Sequence, residues 1–320
     1  VAEQRPPVSR AAVVVNPVKF GDLAQLRSEV SAIMTEHGWA EPVWLETTPE
    51  DPGEGQARQA ADGGADLVLA CGGDGTVTSV AAGLVGRRTA LAIVPAGTGN
   101  LLARNLGLPM DRAGAIRAAV TGTDRPLDVG LANGRPFIVM AGLGFDAKML
   151  DSASEPLKQR LGWPAYLISA VRHLWDRPEH VSLKADGRPP VRRRASGVIV
   201  GNVGRLQGSL PLLPDAQPDD GLLDVMVLTA RSSVGWLVVA GHVLLRRRGA
   251  TARVLRYVVE ELRVDADHEL PWELDGELMG RTRQLAIAIH PEKLLVRVPA
   301  AGAGVPASRR PGRPGRRAAA

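Results

Sequence analysis

Apolar positions follow two different rhythms along this chain. Through residues 11–120, short apolar runs alternate with amphipathic stretches. Ala11 to Val15, Pro42 to Glu46, Asp66 to Cys71 and Thr89 to Pro95 read as strands. The unbroken apolar runs among them suit strands buried on both faces of a parallel sheet. Gln25 to His37 carries Leu26, Val30, Ile33 and Met34 at helical spacing, and Gln56 to Asp62, Thr76 to Leu84 and Ala113 to Val120 read as further helices. Such alternation predicts a doubly wound α/β domain. From about Arg125 strands dominate. Val129 to Ala141 reads as two strands around the hairpin signal Asn133-Gly134. Val181 to Lys184, Ser196 to Val203 and Leu222 to Thr229 read as strands too, as do Leu285 to Ile289 and Leu294 to Val298, with a turn expected around His290-Pro291. Pro164 to Trp175 and Val234 to Arg246 read as helices within this β-rich, sandwich-like half. The expected division is a frayed start (1–10), an α/β domain (11–125), a β-rich domain (126–299) and a disordered Arg/Pro/Gly/Ala tail (300–320).

Composition changes this picture in two places. The formal charge of the 320 residues is +5, but residues 301–320 hold five arginines and no acid, so the body sums to zero. The tail reads as a solvated end, and no nucleic-acid partner is expected. The single Cys71 rules out a disulfide framework and a cysteine-based metal site, and fits a reducing compartment. No signal peptide is apparent, and Val234 to Leu245 is too short to cross a bilayer. The expectation is therefore a cytoplasmic protein, soluble or peripheral to the inner face of the cell membrane. The apolar stretches 163–175 and 234–245, the second followed by Arg246-Arg-Arg248, suit core packing or a lipid surface.

The chemistry gathers in glycine turns and acidic pairs. Cys71-Gly-Gly-Asp-Gly-Thr-Val77 joins a buried strand to a helix, an arrangement that aims backbone N–H groups at an anion. Ala96-Gly-Thr-Gly-Asn100 ends the next strand, so two such turns should lie side by side as a phosphate cradle. A P-loop is excluded, since no Gly-Lys-Ser/Thr occurs. Asp74 beside phosphates calls for a divalent cation. Gly142 to Ala147 imitates a dinucleotide fingerprint without a clear βαβ setting, and reads as a tight turn. Gln217 to Leu222 offers Asp219, Asp220 and backbone carbonyls, suited to magnesium or simply to a turn. Leu274-Asp-Gly-Glu277 offers two carboxylates, a general base or an ordinary hairpin turn.

These motifs, with Asn16-Pro17 and Thr47-Thr48, resemble the diacylglycerol kinase catalytic family in their order and separations. The likeness is to its bacterial soluble lipid kinase branch, related to the sphingosine and ceramide kinases, and covers roughly residues 11–299. The resemblance implies a nucleotide between an α/β domain and a β-rich domain. ATP would contact Asn16, Thr48, Gly72, Gly73, Asp74, Gly75, Thr76, Val77, Thr78, Gly97 and Thr98, with Thr47 second to Thr48. It implies a structural Mg2+ held by Asp220 with the carbonyls of Gln217 and Leu222, and a catalytic base at Asp275 or Glu277. The implied activity is transfer of the γ-phosphoryl group of ATP to a hydroxyl of a diacylglycerol-like or sphingoid lipid at a membrane surface. Relatives often dimerise, so a homodimer is an option, though no stretch marks an interface. Two positions depart from many relatives: Leu101 replaces an Asp, and Thr78-Ser79 replace Asn-Glu. The alternatives are an NAD kinase and a non-catalytic lipid- or nucleotide-binding regulator on the same fold.

Overall fold

The structure, a computed structural model, describes residues 9–144, 178–205, 212–230, 239, 241, 251 and 253–300. It divides into two compact units. The first runs to Leu127 and resumes at Glu292, and the second spans Asp128 to Pro291.

In the first unit the order is β1 (Ala11–Val15), α1 (Leu23–Glu36), β2 (Val43–Glu46), α2 (Glu54–Asp62), β3 (Leu67–Gly72), α3 (Asp74–Leu84), β4 (Ala90–Pro95), α4 (Leu101–Asn105) and α5 (Arg112–Thr121). The strands pair in parallel in the order β4-β3-β1-β2, with Val13 beside Leu69 and Leu69 beside Ala92. Helices cover both faces: α2 packs on α3, and α1 on α5. This two-sided burial is why β1 and β3 are apolar at every position rather than at alternate ones. Val13, Leu69 and Ala92 face Leu26, Val30, Ile33 and Ile116 in one core. Helix starts are set by local chemistry. Asp22 accepts the Gln25 N–H at 2.9 Å and Asp111 the Gly114 N–H at 2.7 Å, each satisfying a donor the helix itself cannot.

The second unit is antiparallel. It is built from β5 (Thr123–Ala132), which enters from the first unit, β6 (Arg135–Phe137), β7 (Met140–Leu143), β8 (Glu179–Ala185), β9 (Val191–Ala195), β10 (Gly197–Gly201), β11 (Leu223–Leu228), β12 (Val254–Val259), β13 (Glu261–Leu274) and β14 (Glu277–Val298). Past Pro291, β14 belongs to the first unit, where Val296 pairs with Leu91 of β4. One row runs β12-β11-β10-β7-β13-β14. Strand β13 pairs with β8 over Leu262 to Ala266 and with β7 over Trp272 to Leu274, and its register against β14 shifts between Asp265 and Leu270. It thus changes partner at that irregularity within one continuous sheet. Alternate residues of the strands, among them Val181, Val198, Val225, Leu262, Val264 and Leu285, form one core.

The α/β half follows the sequence expectation closely, each expected helix and strand ending within about two residues of where periodicity places it, and it adds the short α4, which the sequence reading does not predict. The β-rich half departs from it. The turn expected at His290-Pro291 does not form, and β14 runs straight through. Glu292 there takes a left-handed φ of 52°, so the signal marks an irregular residue inside a strand rather than a reversal. The region 129–141 holds the expected hairpin, β5 and β6, and also the start of a third strand, β7. Strands β9, β12 and β13 were not expected. β9 reads Val-Arg-Arg-Arg-Ala on a sheet edge, where charged residues are tolerated because, among the described residues, no further strand pairs with it. The helix expected at 164–175, nearly all of that at 234–246 and the tail after 300 lie outside the described residues.

Candidate functional site

In the first unit, β2 and β1 lie on one side and β3 and β4 on the other. The chain therefore reverses its direction of addition between β1 and β3. Open α/β sheets bind ligands at the carboxyl ends of strands at such a switch point. Asn16 follows β1 there. Its backbone N–H donates to the Cys71 carbonyl at 3.0 Å, and its Nδ2 donates to Thr76 Oγ1 at 3.4 Å. The two glycine turns do lie side by side. The Ala96 N–H donates to the Gly72 carbonyl at 2.8 Å, and a Cβ built on Gly97 would stand 2.8 Å from the Gly73 Cα. That approach is closer than any side chain allows, which is why position 97 is glycine, whereas a Cβ on Gly73 would meet the Gly97 Cα at an ordinary 3.5 Å. The N–H groups of Asp74, Gly75 and Thr76 open α3, where the helix offers them no acceptor and no side chain at Gly73 caps them.

Several of the expected residues serve the fold. The Asp74 carboxylate caps the second turn, accepting the N–H groups of Asn100 at 2.8 Å and Leu101 at 2.5 Å. Because Leu101 takes part through its backbone, this bond does not depend on its side chain. Val77 is buried with Val80, Ala81 and Leu84, and its N–H donates to Gly73 at 3.0 Å. Thr76 is buried, whereas Thr98 is exposed and Thr78 half-buried. Of the pair after β2, Thr47 is buried and Thr48 exposed, its Oγ1 accepting the Asp51 N–H at 3.1 Å. Burial pushes the Cys71 thiol up to about 12, despite the opposing field of Arg112, so it is an inert core residue.

A substitution at the point of closest approach tests the cradle. Gly97→Ala is expected to force the turns apart and to weaken nucleotide binding about tenfold or more, with a stability loss of about 1–3 kcal/mol. Calorimetric titration with ATP and a denaturation curve report the two effects separately.

In the second unit, Leu274 to Glu277 is a two-residue hairpin turn between β13 and β14. Asp275 and Gly276 both have positive φ, 49° and 90°, as a type I′ turn requires. Asp275 is buried. Its Oδ1 accepts the N–H groups of Val139 and Met140, both at 2.8 Å, and its Oδ2 that of Ile138 at 2.9 Å. Its own N–H donates to the Met140 carbonyl at 2.8 Å. Asp275 thus pins the hairpin tip to residues 138–140. Glu277 is exposed, and no hydrogen bond or ion pair engages its carboxylate among the described residues.

Three residues here escaped the sequence reading. Asn202 is fully buried. Its Nδ2 donates to the carbonyls of Asp128 at 2.8 Å and Ile138 at 3.0 Å. Asp128, also buried, donates its N–H to the Pro218 carbonyl at 2.7 Å, and its Oδ2 accepts the Gly221 N–H at 2.6 Å. Glu273 lies opposite Gly142 in the register of β13 and β7. A Cβ on Gly142 would stand 2.8 Å from the Glu273 Cγ, so this glycine makes room for a carboxyl side chain. Burial first, and the charge of Asp275 second, push the Glu273 carboxyl up to about 7. Its protonated form is therefore favoured by folding. That stabilisation is complete in acid below the ordinary glutamate range and is lost as pH rises through 7. Glu273→Gln is expected to remove this dependence. Between pH 6 and 8.5, wild type should lose about 1–2 kcal/mol more than the variant in urea unfolding.

In the turn 217–222, Asp220 folds back so that its Oδ1 accepts the Leu222 N–H at 3.2 Å. The turn carries the carboxylates of Asp219 and Asp220 along with its backbone carbonyls, oxygen donors of the kind a hard cation takes. No group of three or more His, Cys, Asp or Glu that could hold a metal occurs among the described residues. No helix among the described residues is long and apolar enough to cross a membrane.

Comparison with known proteins identifies the family. Residues 10–132 match the diacylglycerol kinase catalytic domain, and residues 138–298 match the YegS C-terminal NAD kinase beta sandwich-like domain. A probable lipid kinase YegS-like protein of Pseudomonas aeruginosa is 36% identical over 269 residues, which cover 81% of this chain and 86% of that protein. The diacylglycerol kinase of Bacillus subtilis is 28% identical over 277 residues, covering 85% of this chain and 91% of that one. Among solved structures, a diacylglycerol kinase from Bacillus anthracis str. Sterne matches with a TM-score of 0.76 at 25% identity, over 92% of this chain and 98% of that chain. With both family domains in order, and with relatives of this identity along most of its length, the chain belongs to the diacylglycerol kinase catalytic-domain family.

Proposed function

We propose that this protein is an ATP-dependent lipid kinase that phosphorylates a hydroxyl of a diacylglycerol-like or sphingoid lipid at a membrane surface. The observation that carries the reading is the division of labour in the 274–277 hairpin, where one carboxylate is fixed on three backbone N–H groups and the other is exposed. In this reading Glu277 is the catalytic base and Asp275 holds it in place. The lipid O–H gives its proton to Glu277, its oxygen bonds to the γ-phosphorus of ATP, and the bond from that phosphorus to the β,γ-bridging oxygen breaks to release ADP. The first unit supplies the nucleotide site. The turns at Gly72 to Thr76 and Ala96 to Asn100 present N–H donors to the phosphates, with Asn16, Thr48, Thr78 and Thr98 around them. Asp74 and Val77 contribute by keeping the two turns together. Asp220 and the carbonyls of Gln217 and Leu222 would hold Mg2+, which supplies positive charge that rigidifies the turn. Catalysis of this kind is mostly positioning and electrostatics.

The test offers γ-labelled ATP with Mg2+ and mixed micelles to the full chain, with diacylglycerol, sphingosine, ceramide, phosphatidylglycerol and NAD as parallel acceptors. Label in one lipid is the expected result, with diacylglycerol first in rank because a relative bears that name. Label only in NADP overturns the lipid reading.

A further inference from the structure

The second glycine turn is locked by its own hydrogen bonds. The Asn100 side chain closes on Gly97, accepting its N–H at 3.0 Å and donating to its carbonyl at 2.7 Å. Arg104, at the far end of the short α4, reaches back to the same turn and donates from Nε to the Gly99 carbonyl at 2.9 Å. That bond anchors the guanidinium at the turn by one nitrogen and leaves its two Nη groups unspent. Arg104 is exposed, and among the described residues no carboxylate pairs with it. Asp74, the acid of the neighbouring turn, is taken up by the N–H groups of Asn100 and Leu101. Leu101, one helical turn before Arg104, offers it no acid. Fixed positive charge is otherwise scarce at this end of the sheet, where no P-loop lysine exists. Arg87 and Arg88 precede β4 and so stand at the opposite end from the turns, where Arg87 pairs with Asp62 at 2.5 Å. Lys19, after β1, is exposed, and no hydrogen bond or ion pair holds its ammonium among the described residues.

We propose that Arg104 binds the phosphate chain of ATP, its Nη groups donating to phosphate oxygens while Nε keeps the guanidinium in place on Gly99. The inference rests on the nucleotide site proposed above and adds to it a side chain that supplies fixed positive charge. The N–H groups that open α3 are neutral dipoles, whereas a triphosphate brings several negative charges into the cradle. A guanidinium held by one nitrogen presents its remaining donors in a planar fork that matches two phosphate oxygens, and its charge strengthens both bonds. Such a contact contributes only when phosphate is present. A residue that merely supports the turn through Gly99 contributes equally to any ligand of the turn.

Titration of the full chain with ATP and with adenosine, which has no phosphate, tests this in the presence of Mg2+ and without any lipid. Arg104→Met is expected to weaken ATP binding about 10- to 100-fold, the loss of charge-assisted hydrogen bonds, and to leave adenosine binding within about twofold of wild type. Arg104→Lys should recover part of the ATP affinity, because an ammonium keeps the charge but not the two-point geometry. The lysine variant carries the same comparison if the methionine variant does not fold. Unchanged ATP affinity in Arg104→Met overturns the proposal. So does a loss of equal factor for ATP and adenosine, which would leave Arg104 as a support of the turn alone. Wild type binding neither ligand overturns the nucleotide site and this role with it. Absence of lipid phosphorylation by wild type, with the ATP-selective loss in Arg104→Met intact, would instead count against the lipid acceptor alone.

Discussion

Asp275→Ala is expected to lose about 3–5 kcal/mol of stability and nearly all activity together. Its carboxylate receives three backbone N–H groups in a site largely closed to water. Hydrogen bonds to a charged acceptor contribute about 1.5–3 kcal/mol each, and unmatched buried donors add a desolvation cost. Alanine also sits poorly at the left-handed φ of 49°, which Asp tolerates better than most residues. Loss should concentrate in the second unit. Hydrogen exchange is expected to accelerate at residues 138–140 and at the ends of β13 and β14, while the helices of the first unit keep their protection. A variant as stable as wild type would show that these bonds are not formed in solution.

Glu277→Gln is expected to behave in the opposite way. Its side chain is exposed and holds nothing together among the described residues. Folding stability and ATP affinity should therefore stay within error of wild type. Turnover should fall about 10²- to 10⁴-fold, the usual contribution of a general base. The contrast separates the two carboxylates of one turn: one loses fold and function, the other function alone. Turnover preserved in Glu277→Gln would remove the base assignment and return Asp275 to candidacy.

The first unit is legible in the sequence because its signals are local. A strand buried on both faces needs an apolar run, and the helix that follows needs a face of the kind formed by Leu26, Val30, Ile33 and Met34. The cradle was legible for the same reason, since a glycine turn between such a strand and helix has few other conformations. What the sequence hid depends on distant partners. Asp275-Gly276 is compatible with any hairpin, and its meaning comes from residues 138–140, more than 130 positions away. Asn202 and Asp128 carry no motif of their own, and only the fold brings them to Ile138 and Gly221. Glu273 sits two residues before the acidic pair, but its burial depends on a glycine in another strand. Among elements, β13 was missed because its alternation breaks between Asp265 and Leu270, where it changes neighbours. The Pro291 signal was read as a reversal, whereas a strand can pass a proline where its missing N–H has no partner to lose.

The most direct test of the central claim follows the phosphorus. Wild-type protein is given ATP labelled at the γ position or at the α position, with Mg2+ and diacylglycerol micelles, and label is counted in the chloroform phase. The account predicts label there from γ-labelled ATP only, increasing with time beyond one equivalent of protein and abolished by EDTA. A folded, ATP-binding protein that delivers no γ-label to diacylglycerol or to any sphingoid lipid would contradict it.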